Sequence, residues 1–251
     1  MNFYSVIIGT ELLNGRRIDA HFPFLNNELL KRGWTHKGSF VIKDEPELIE
    51  SVFKLIMSDS KSVMFSFGGI GATPDDYTRK CAANVFTDGK MEINRGAKKA
   101  IIDKFGNDAF PHRINMACLP IDAKLLFNPI TNVPGFYLKD RFFFVPGFPS
   151  MAQAMIIEAL DKHYPKNKEI IYKKVLSATA SENNFISIME GISSDVDLSS
   201  LPIIDGDKRY CVLSISSNNK ELTDGEFNKF IQYCKDNDIE FVLEDIRGEI
   251  I

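Results

Sequence analysis

The sequence predicts an α/β protein in which a mostly parallel sheet is covered by helices on both faces and is followed by a small α+β domain. Two observations carry this prediction. Short apolar runs alternate with helical patterns as β-α-β-α-β-α from Phe3 to Val85, which is typical of a three-layer α/β/α sheet. After a polar, proline-containing stretch at 162–168, the order becomes β-α-β-β-α-β. We therefore expect two domains, at residues 1–165 and 166–251.

The composition is that of an ordinary globular protein. Of 251 residues, 44% are hydrophobic and 25% are charged, which excludes disordered chains, collagen and coiled-coil rods. A net charge of −4 gives no electrostatic argument for a nucleic acid or membrane partner, and we expect neither. The chain shows no signal-peptide core, no membrane-length apolar stretch and no CxxC pair. These features predict a cytoplasmic protein with reduced thiols.

Three buried strands are predicted in the first half of the chain, at 3–8, 39–42 and 62–67. The first precedes a helix whose apolar residues recur at spacings of three and four until Gly33. The second precedes a capping box, with Asp44 as N-cap and Glu47 at the third helical position. The third leads through a glycine-rich turn to a helix with Thr73 as N-cap and Pro74 at its first position.

The rest of the chain completes the two domains. In the first domain, helices are predicted near 94–105, 110–118 and 150–163, and strands at 125–127, 136–138 and 142–145. In the second, strands are predicted at 170–178, 201–204, 210–216 and 239–243, and helices at 182–192 and 221–235. The β-α-β-β-α-β order of the second domain is that of a split-βαβ, ferredoxin-like module.

The turn after the third strand predicts an anion site. Gly68, Gly69, Ile70 and Gly71 join a buried strand to a capped helix, and glycines let a ligand approach the main chain closely. Free N–H groups and the positive end of the helix dipole at Thr73 would face that ligand. The pattern favours a phosphate or pyrophosphate cradle, and a tight structural turn is the alternative.

Carboxylates near this turn predict a divalent metal. Asp75 and Asp76 would repel a bound phosphate unless a cation lay between them, and Mg²⁺ typically uses one or two carboxylates with phosphate oxygens. Glu11 is a third candidate, because it follows the first strand at the edge where open α/β sheets bind ligands. Ordinary helix capping and a solvated turn glutamate are the alternatives.

A second strand-to-helix turn, which contains Pro146 and Gly147, is expected to form the opposite wall of the cleft. Cations that could offset a phosphate charge lie near both turns, at Arg16, Arg17, Arg79 and Lys80. The four histidines form no HxH or HExxH pattern and no GxSxG motif occurs, so nucleophilic hydrolase chemistry has no support.

Several ordered motifs resemble one known family. IGTELLNG at 8–15, GGIGATPDDYT at 68–78 and VPGFP at 145–149 resemble the molybdopterin-binding-type domain, and most closely the N-terminal part of the CinA family. Shorter matches at 115–120, 128–129 and 133–136 fall in the same order. Together the motifs span residues 5–160.

The resemblance implies a function as well as the three-layer fold. It implies oligomers, with a dimer favoured over a trimer, and binding or hydrolysis of pyrophosphate-containing nucleotides such as ADP-ribose with Mg²⁺ or Co²⁺. Related domains bind molybdopterin. The functional aspartate of the motif falls on Asp76. Asp76 and Glu11 are expected to be catalytic, and Asp76, Asp75 and Glu11 are expected to hold the metal. The expected ligand-binding residues are Gly9, Thr10, Asp19, Gly68, Gly69, Ile70, Gly71, Thr73, Pro146 and Gly147.

The chain also departs from the family pattern. Thr10 stands where the family usually has aspartate, His21 where it has asparagine, and Met151 near a usual glutamate; Ala72 replaces a usual proline. A diverged hydrolase and a binding module without turnover are therefore both open, and partner docking by the second domain is a third alternative. Family members often carry a nicotinamide-mononucleotide deamidase domain, which is expected to be absent from a chain that ends at Ile251.

Overall fold

The computed structural model describes residues 1–244 and divides the chain into two compact units. The first unit is Met1–Asn167 and the second begins at Lys168. The elements of the first unit are β1 (Asn2–Ile8), α1 (Thr10–Leu13), α2 (His21–Lys31), β2 (His36–Ile42), α3 (Pro46–Ser58), β3 (Ser62–Phe67), α4 (Thr78–Phe86), β4 (Met91–Ile93), α5 (Arg95–Phe105), β5 (Cys118–Pro120), β6 (Lys124–Leu126), β7 (Gly135–Leu138), β8 (Phe142–Val145) and α6 (Pro149–His163).

A six-stranded sheet forms the middle layer of the first unit, in the order β2-β1-β3-β8-β7-β6. The first four strands are parallel, and β7 and β6 continue the sheet antiparallel. Every residue of β3 and of β8 is buried, as expected for central strands covered on both faces. The loops after β1, β3 and β8 therefore meet at one edge of the sheet, where their carboxyl ends lie.

Helices cover both faces of this sheet. One core cluster joins α3, α4 and α5 to the first face, through residues such as Phe53 and Phe144. The other joins α2 and α6 to the second face, through residues such as Leu25 and Ile156. Phenylalanine fills much of the interior, and the rings of Phe65 and Phe143 stack on neighbouring strands with their centroids 5.0 Å apart. The predicted three-layer α/β/α class is confirmed.

The second unit has its own sheet and its own core. Its elements are β9 (Tyr172–Ala178), α7 (Ile186–Met189), β10 (Asp197–Asp205), β11 (Lys208–Ser217), α8 (Lys220–Asp236) and β12 (Phe241–Val242). The strands are antiparallel in the order β10-β11-β9-β12, which is the strand order of a ferredoxin-like fold. Its core cluster packs α8 on the sheet through Phe227 and Phe230. The predicted ferredoxin-like class of this part is confirmed.

Two predicted helix starts are wrong. The helix predicted from Pro74, with Thr73 as its N-cap, begins only at Thr78, because the side chain of Asp76 bonds back to the main chain of its own turn and competes with helix formation. The capping box at Asp44 does not form either. Helix α3 starts at Pro46 with no side-chain cap, and the Asp44 carboxylate instead accepts hydrogen bonds from the N–H and hydroxyl of Thr10, at 2.8 and 2.9 Å.

Three other predicted elements differ in kind or length. The helix expected near 110–118 is a 3-10 helix at Arg113–Ala117. The helix expected at 182–192 is a 3-10 turn at Glu182–Phe185 followed by the four-residue α7. The strand expected at 201–204 is the nine-residue β10, whose alternating polar residues hid its length. Within residues 1–244, no helix has the length and apolar character needed to cross a membrane.

Candidate functional site

A cavity of about 420 Å³, here called the loop cavity, opens at the carboxyl ends of β3 and β8. One wall is the glycine-rich turn after β3 and the other is the turn from β8 into α6. The loop cavity is lined by Gly69, Ile70, Gly71, Ala72, Thr73, Asp76, Phe105, Met116, Asn128, Thr131, Val133, Pro134, Pro146, Gly147, Phe148 and Met151. A cleft at this position is where open α/β sheets bind their ligands.

The structure brings together seven of the residues predicted for the site. These residues lining the loop cavity are Gly69, Ile70, Gly71, Thr73, Asp76, Pro146 and Gly147. Gly68 lies directly behind this wall, since a Cβ on Gly147 would stand 3.4 Å from its Cα. The other predicted residues, Gly9, Thr10, Glu11, Asp19 and Asp75, do not line the cavity.

The carboxylate of Asp76 organises the glycine-rich turn. Its Oδ1 accepts a hydrogen bond from the N–H of Gly71 at 2.8 Å. Its Oδ2 accepts bonds from the N–H and the hydroxyl of Thr73, at 2.8 and 2.6 Å. A carboxylate offers about four acceptor positions, so about one remains for a ligand in the cavity. Asp76 thus shapes the wall and presents a negative charge from it.

Arg79 supports the turn through its carbonyl groups. The side chain is buried, and its guanidinium donates hydrogen bonds to the main-chain carbonyls of Ile70 and Gly71. Burial lowers the pKa of this guanidinium, while the charge of Asp76 opposes that shift. Arg79 therefore serves the loop itself, whereas the sequence had suggested it as a partner for phosphate.

Several main-chain donors of the turn are already used within the protein. The N–H of Gly68 donates to the carbonyl of Val145, and the N–H of Thr78 donates to that of Gly69. The N–H groups of Gly71 and Thr73 donate to Asp76, as described above. The helix dipole also starts four residues later than predicted, at Thr78 instead of Pro74.

Two positive-φ glycines make this tight turn feasible. Gly68 has φ +94°, and a Cβ there would stand 2.4 Å from the main-chain oxygen of Ile8. Gly69 has φ +68°, and a Cβ there would stand 2.2 Å from the hydroxyl oxygen of Thr78. Only glycine combines this backbone conformation with such close approach. The turn after β3 is thereby held against the end of β1.

The remaining acidic candidates take local structural roles. Glu11 lines a small separate pocket of about 10 Å³ and faces Arg17, whose Nη1 lies 3.8 Å from its Oε1. Asp19 accepts hydrogen bonds from the N–H groups of His21 and Phe22 in the first turn of α2. Asp75 is exposed, and a hydrogen bond from Thr73 lowers its pKa.

The arrangement does not fit a divalent cation held by Glu11, Asp75 and Asp76. Glu11 and Asp76 line different pockets, and Asp76 already accepts three hydrogen bonds from its own turn. Throughout residues 1–244, no group of three or more His, Cys, Asp or Glu side chains is placed to hold a metal ion.

His21, which departs from the family pattern, ties two strand-end loops together. Its ring lies against Phe67, with centroids 4.5 Å apart, and its side chain hydrogen-bonds to the main chain of Gly147. Burial is the largest cause of its lowered pKa. The histidine thus fixes the β8–α6 turn, which is one wall of the loop cavity.

Much of the lining comes from residues that the sequence did not assign to the site. They are mostly apolar, including Phe105, Met116, Val133, Phe148 and Met151. The motifs at 115–120, 128–129 and 133–136 were the available signal, because each supplies residues to the cavity. Met151 in particular contributes an apolar wall where a glutamate was expected.

Comparison with known proteins agrees with this geometry. The family described as a probable molybdopterin binding domain matches residues 5–165. The chain belongs to this family. The match covers both turns of the loop cavity and every strand of the six-stranded sheet from Ser5 of β1 onward.

Within this molybdopterin-binding family, the relatives are CinA-like, which confirms the predicted resemblance. The CinA-like protein of Syntrophomonas wolfei is 30% identical over 198 residues, covering 74% of this chain and 47% of that protein. The CinA-like protein of Nostoc punctiforme is 32% identical over 186 residues, covering 70% of this chain and 44% of that protein. The chain therefore spans about half the length of these curated relatives.

A solved structure shares the fold of the matched region. The protein CinA from Thermoplasma acidophilum, described as having unknown function, superposes with a TM-score of 0.58 at 28% identity. The superposition covers 64% of this chain and 96% of that one.

Proposed function

We propose that this chain binds a ligand in which a flat nitrogen heterocycle, a pterin or an adenine, is joined to phosphate. The heterocycle lies in the loop cavity. The lining carries this proposal: aromatic and aliphatic side chains form most of the wall, and the carboxylate of Asp76 stands among them. Such a cavity suits a planar ring with a polar edge. The family description as a probable molybdopterin binding domain supports the same ligand class.

Asp76 orients the ring in this proposal. Its remaining acceptor position would receive an N–H of the heterocycle, and amino groups on pterins and adenines are donors of this kind. The hydroxyl of Thr131 accepts hydrogen bonds from Asn128 and from the N–H of Val133, so its own proton is available to a ring nitrogen. One acceptor and one donor would together fix which edge of the ring enters.

The geometry favours binding over pyrophosphate hydrolysis, the finer expectation from the resemblance. The carboxylate in the cavity is engaged in holding its loop, and the second predicted catalytic residue, Glu11, lines a different pocket. We expect ADP-ribose incubated with the protein and Mg²⁺ or Co²⁺ to be recovered intact. Chromatographic detection of metal-dependent AMP would instead favour the hydrolytic function.

A cavity-filling variant tests the binding proposal. Met151→Trp places a large ring against the loop cavity and is expected to weaken binding of a heterocycle at least about tenfold, because overpacking leaves no room for the ligand. Calorimetric titration with the neutral probes adenosine and biopterin, and with ADP-ribose, measures the dissociation constants.

The matched control is Ile157→Trp. Ile157 is also on α6, is 39% exposed and does not line the cavity, so its replacement should leave all three dissociation constants unchanged. Equal binding by wild type and Met151→Trp would overturn the proposed location. Absence of binding of all three probes to the wild type would overturn the proposed function.

A further inference from the structure

A second cavity, of about 800 Å³, adjoins the loop cavity and is called here the arginine pocket. Ala72 and Thr73 line both cavities, so the turn that follows Gly71 is their shared wall. The other wall of the arginine pocket is the segment around the 3-10 helix Arg113–Ala117. A ligand that enters the loop cavity could therefore extend over this wall without leaving the protein surface.

The two cavities differ in charge. The charged side chain in the loop cavity is Asp76. In the arginine pocket, the titratable side chains are Arg79, Asp108, His112 and Arg113. Arg79 is engaged by the carbonyls of Ile70 and Gly71, so the exposed guanidinium of Arg113 is the cation that an anion can reach. A phosphate in the loop cavity would face a carboxylate, whereas a phosphate in the arginine pocket would face the guanidinium of Arg113.

Arg113 is placed to receive an anion. The side chain is exposed, and its Nη1 donates to the main-chain oxygen of Asp108 at 2.8 Å. No carboxylate within residues 1–244 forms a salt bridge with it under 4.0 Å, so its charge is not neutralised locally. The rest of the guanidinium fork can bind phosphate oxygens.

Arg113 is also fixed relative to the loop cavity. Its Cζ lies 4.7 Å from the centroid of the Phe105 ring, and Phe105 lines the loop cavity. A cation held over an aromatic face is restricted in position. The same aromatic residue therefore contacts the proposed heterocycle space and the proposed anion-binding side chain.

We infer that the arginine pocket is the phosphate or pyrophosphate subsite, with Arg113 as its main ligand and His112 and Asn115 as further polar contacts. This inference rests on the proposed function, because it places the phosphate of the ligand whose ring occupies the loop cavity. It locates the anion beyond Thr73, away from the main-chain N–H groups of the glycine-rich turn, several of which donate to protein oxygens.

The test uses inorganic pyrophosphate as a probe of the subsite alone. Arg113→Gln should raise the dissociation constant of pyrophosphate about tenfold or more, as expected for loss of a charge-assisted contact. Asp108→Asn should lower the same constant by about two- to fivefold, because it removes the opposing charge. Loss of folding cannot produce this tighter binding.

The control is Arg95→Gln. Arg95 is an exposed arginine at the start of α5 that lines neither cavity, so its replacement should leave the dissociation constant of pyrophosphate unchanged.

The Met151→Trp variant separates this inference from the proposed function. Pyrophosphate should bind to it as to wild type, although adenosine and biopterin no longer do. If neutral heterocycles bind the wild type but pyrophosphate binding is unaffected by Arg113→Gln, the arginine pocket is not the anion subsite. If pyrophosphate binds through Arg113 but no heterocycle binds, the anion subsite stands and the proposed function fails.

Discussion

At the residue scale, the carboxylate of Asp76 has two roles. It is the aspartate on which the family motif places function, and it also accepts three hydrogen bonds from the turn it closes. The resemblance to the family identified the residue but could not reveal the second role, because the bonds depend on the turn not becoming helix. The neighbouring Asp75 has the same chemistry and is exposed.

Replacing Asp76 by asparagine should destabilise the fold by about 1–3 kcal/mol, because an amide nitrogen would then face main-chain donors. Urea denaturation measures the free energy of unfolding. Asp75→Asn is the control and should show no comparable loss. Equal stability of Asp76→Asn and wild type would mean that the bonds at Gly71 and Thr73 contribute nothing to the turn.

At the element scale, the loops after β1, β3 and β8 meet at Gly68. A Cβ on this glycine would collide with the main-chain oxygen of Ile8, and Gly147 packs against its Cα. Gly68→Ala should therefore lower the free energy of unfolding by more than the about 1–2 kcal/mol that a positive φ alone costs a residue with a Cβ. Gly15→Ala is the control, since Gly15 has φ +76° and a Cβ added there would meet nothing within 4 Å.

The difference between the two variants isolates the close approach of the strand ends. Overpacking typically adds about 1–3 kcal/mol, so Gly68→Ala should lower the free energy of unfolding by at least about 1 kcal/mol more than Gly15→Ala. Similar losses in both variants would show that the loops can separate without cost. The measurement is denaturant unfolding of each variant against wild type.

Some of these elements and loops could be predicted from the sequence, and others could not. The strands β1, β3 and β8 were predictable, because buried parallel strands are continuous apolar runs. The starts of α3 and α4 were not, because Asp44 and Thr73 resemble N-caps in sequence, yet Asp44 accepts hydrogen bonds from Thr10 and Thr73 donates to Asp76. The apolar lining of the cavity was also hidden, since its residues are distant in sequence and lie together only after folding.

At the scale of the whole molecule, each compact unit has its own core, and the first contains three histidines with lowered pKa values. Burial is the largest cause for His21, His36 and His163, and it brings the pKa of His36 to about 4. A histidine kept neutral in the fold but free to protonate when unfolded stabilises the protein fully above its unfolded pKa. That contribution is lost as the pH falls toward the folded pKa.

The free energy of unfolding should therefore decline as the pH falls from about 7 toward about 5.5, above the range in which most carboxylates such as Glu28 are protonated in the unfolded chain. His36→Gln should make this decline shallower, because it removes one of the three groups. Urea denaturation across this pH range measures it, and an unchanged slope in His36→Gln would refute the assignment.

The bonds between Asp76 and its turn have a consequence for the energetics of recognition. A wall already ordered by the protein's own contacts does not have to be ordered by the ligand, so little conformational entropy is lost at the moment of association. The turn is nonetheless closed in only a fraction of the molecules, and the apparent affinity equals the affinity of the closed form multiplied by that fraction. Variants that weaken the turn should consequently lose affinity in proportion to the fraction of molecules in which it opens, even when every atom that contacts the ligand is retained.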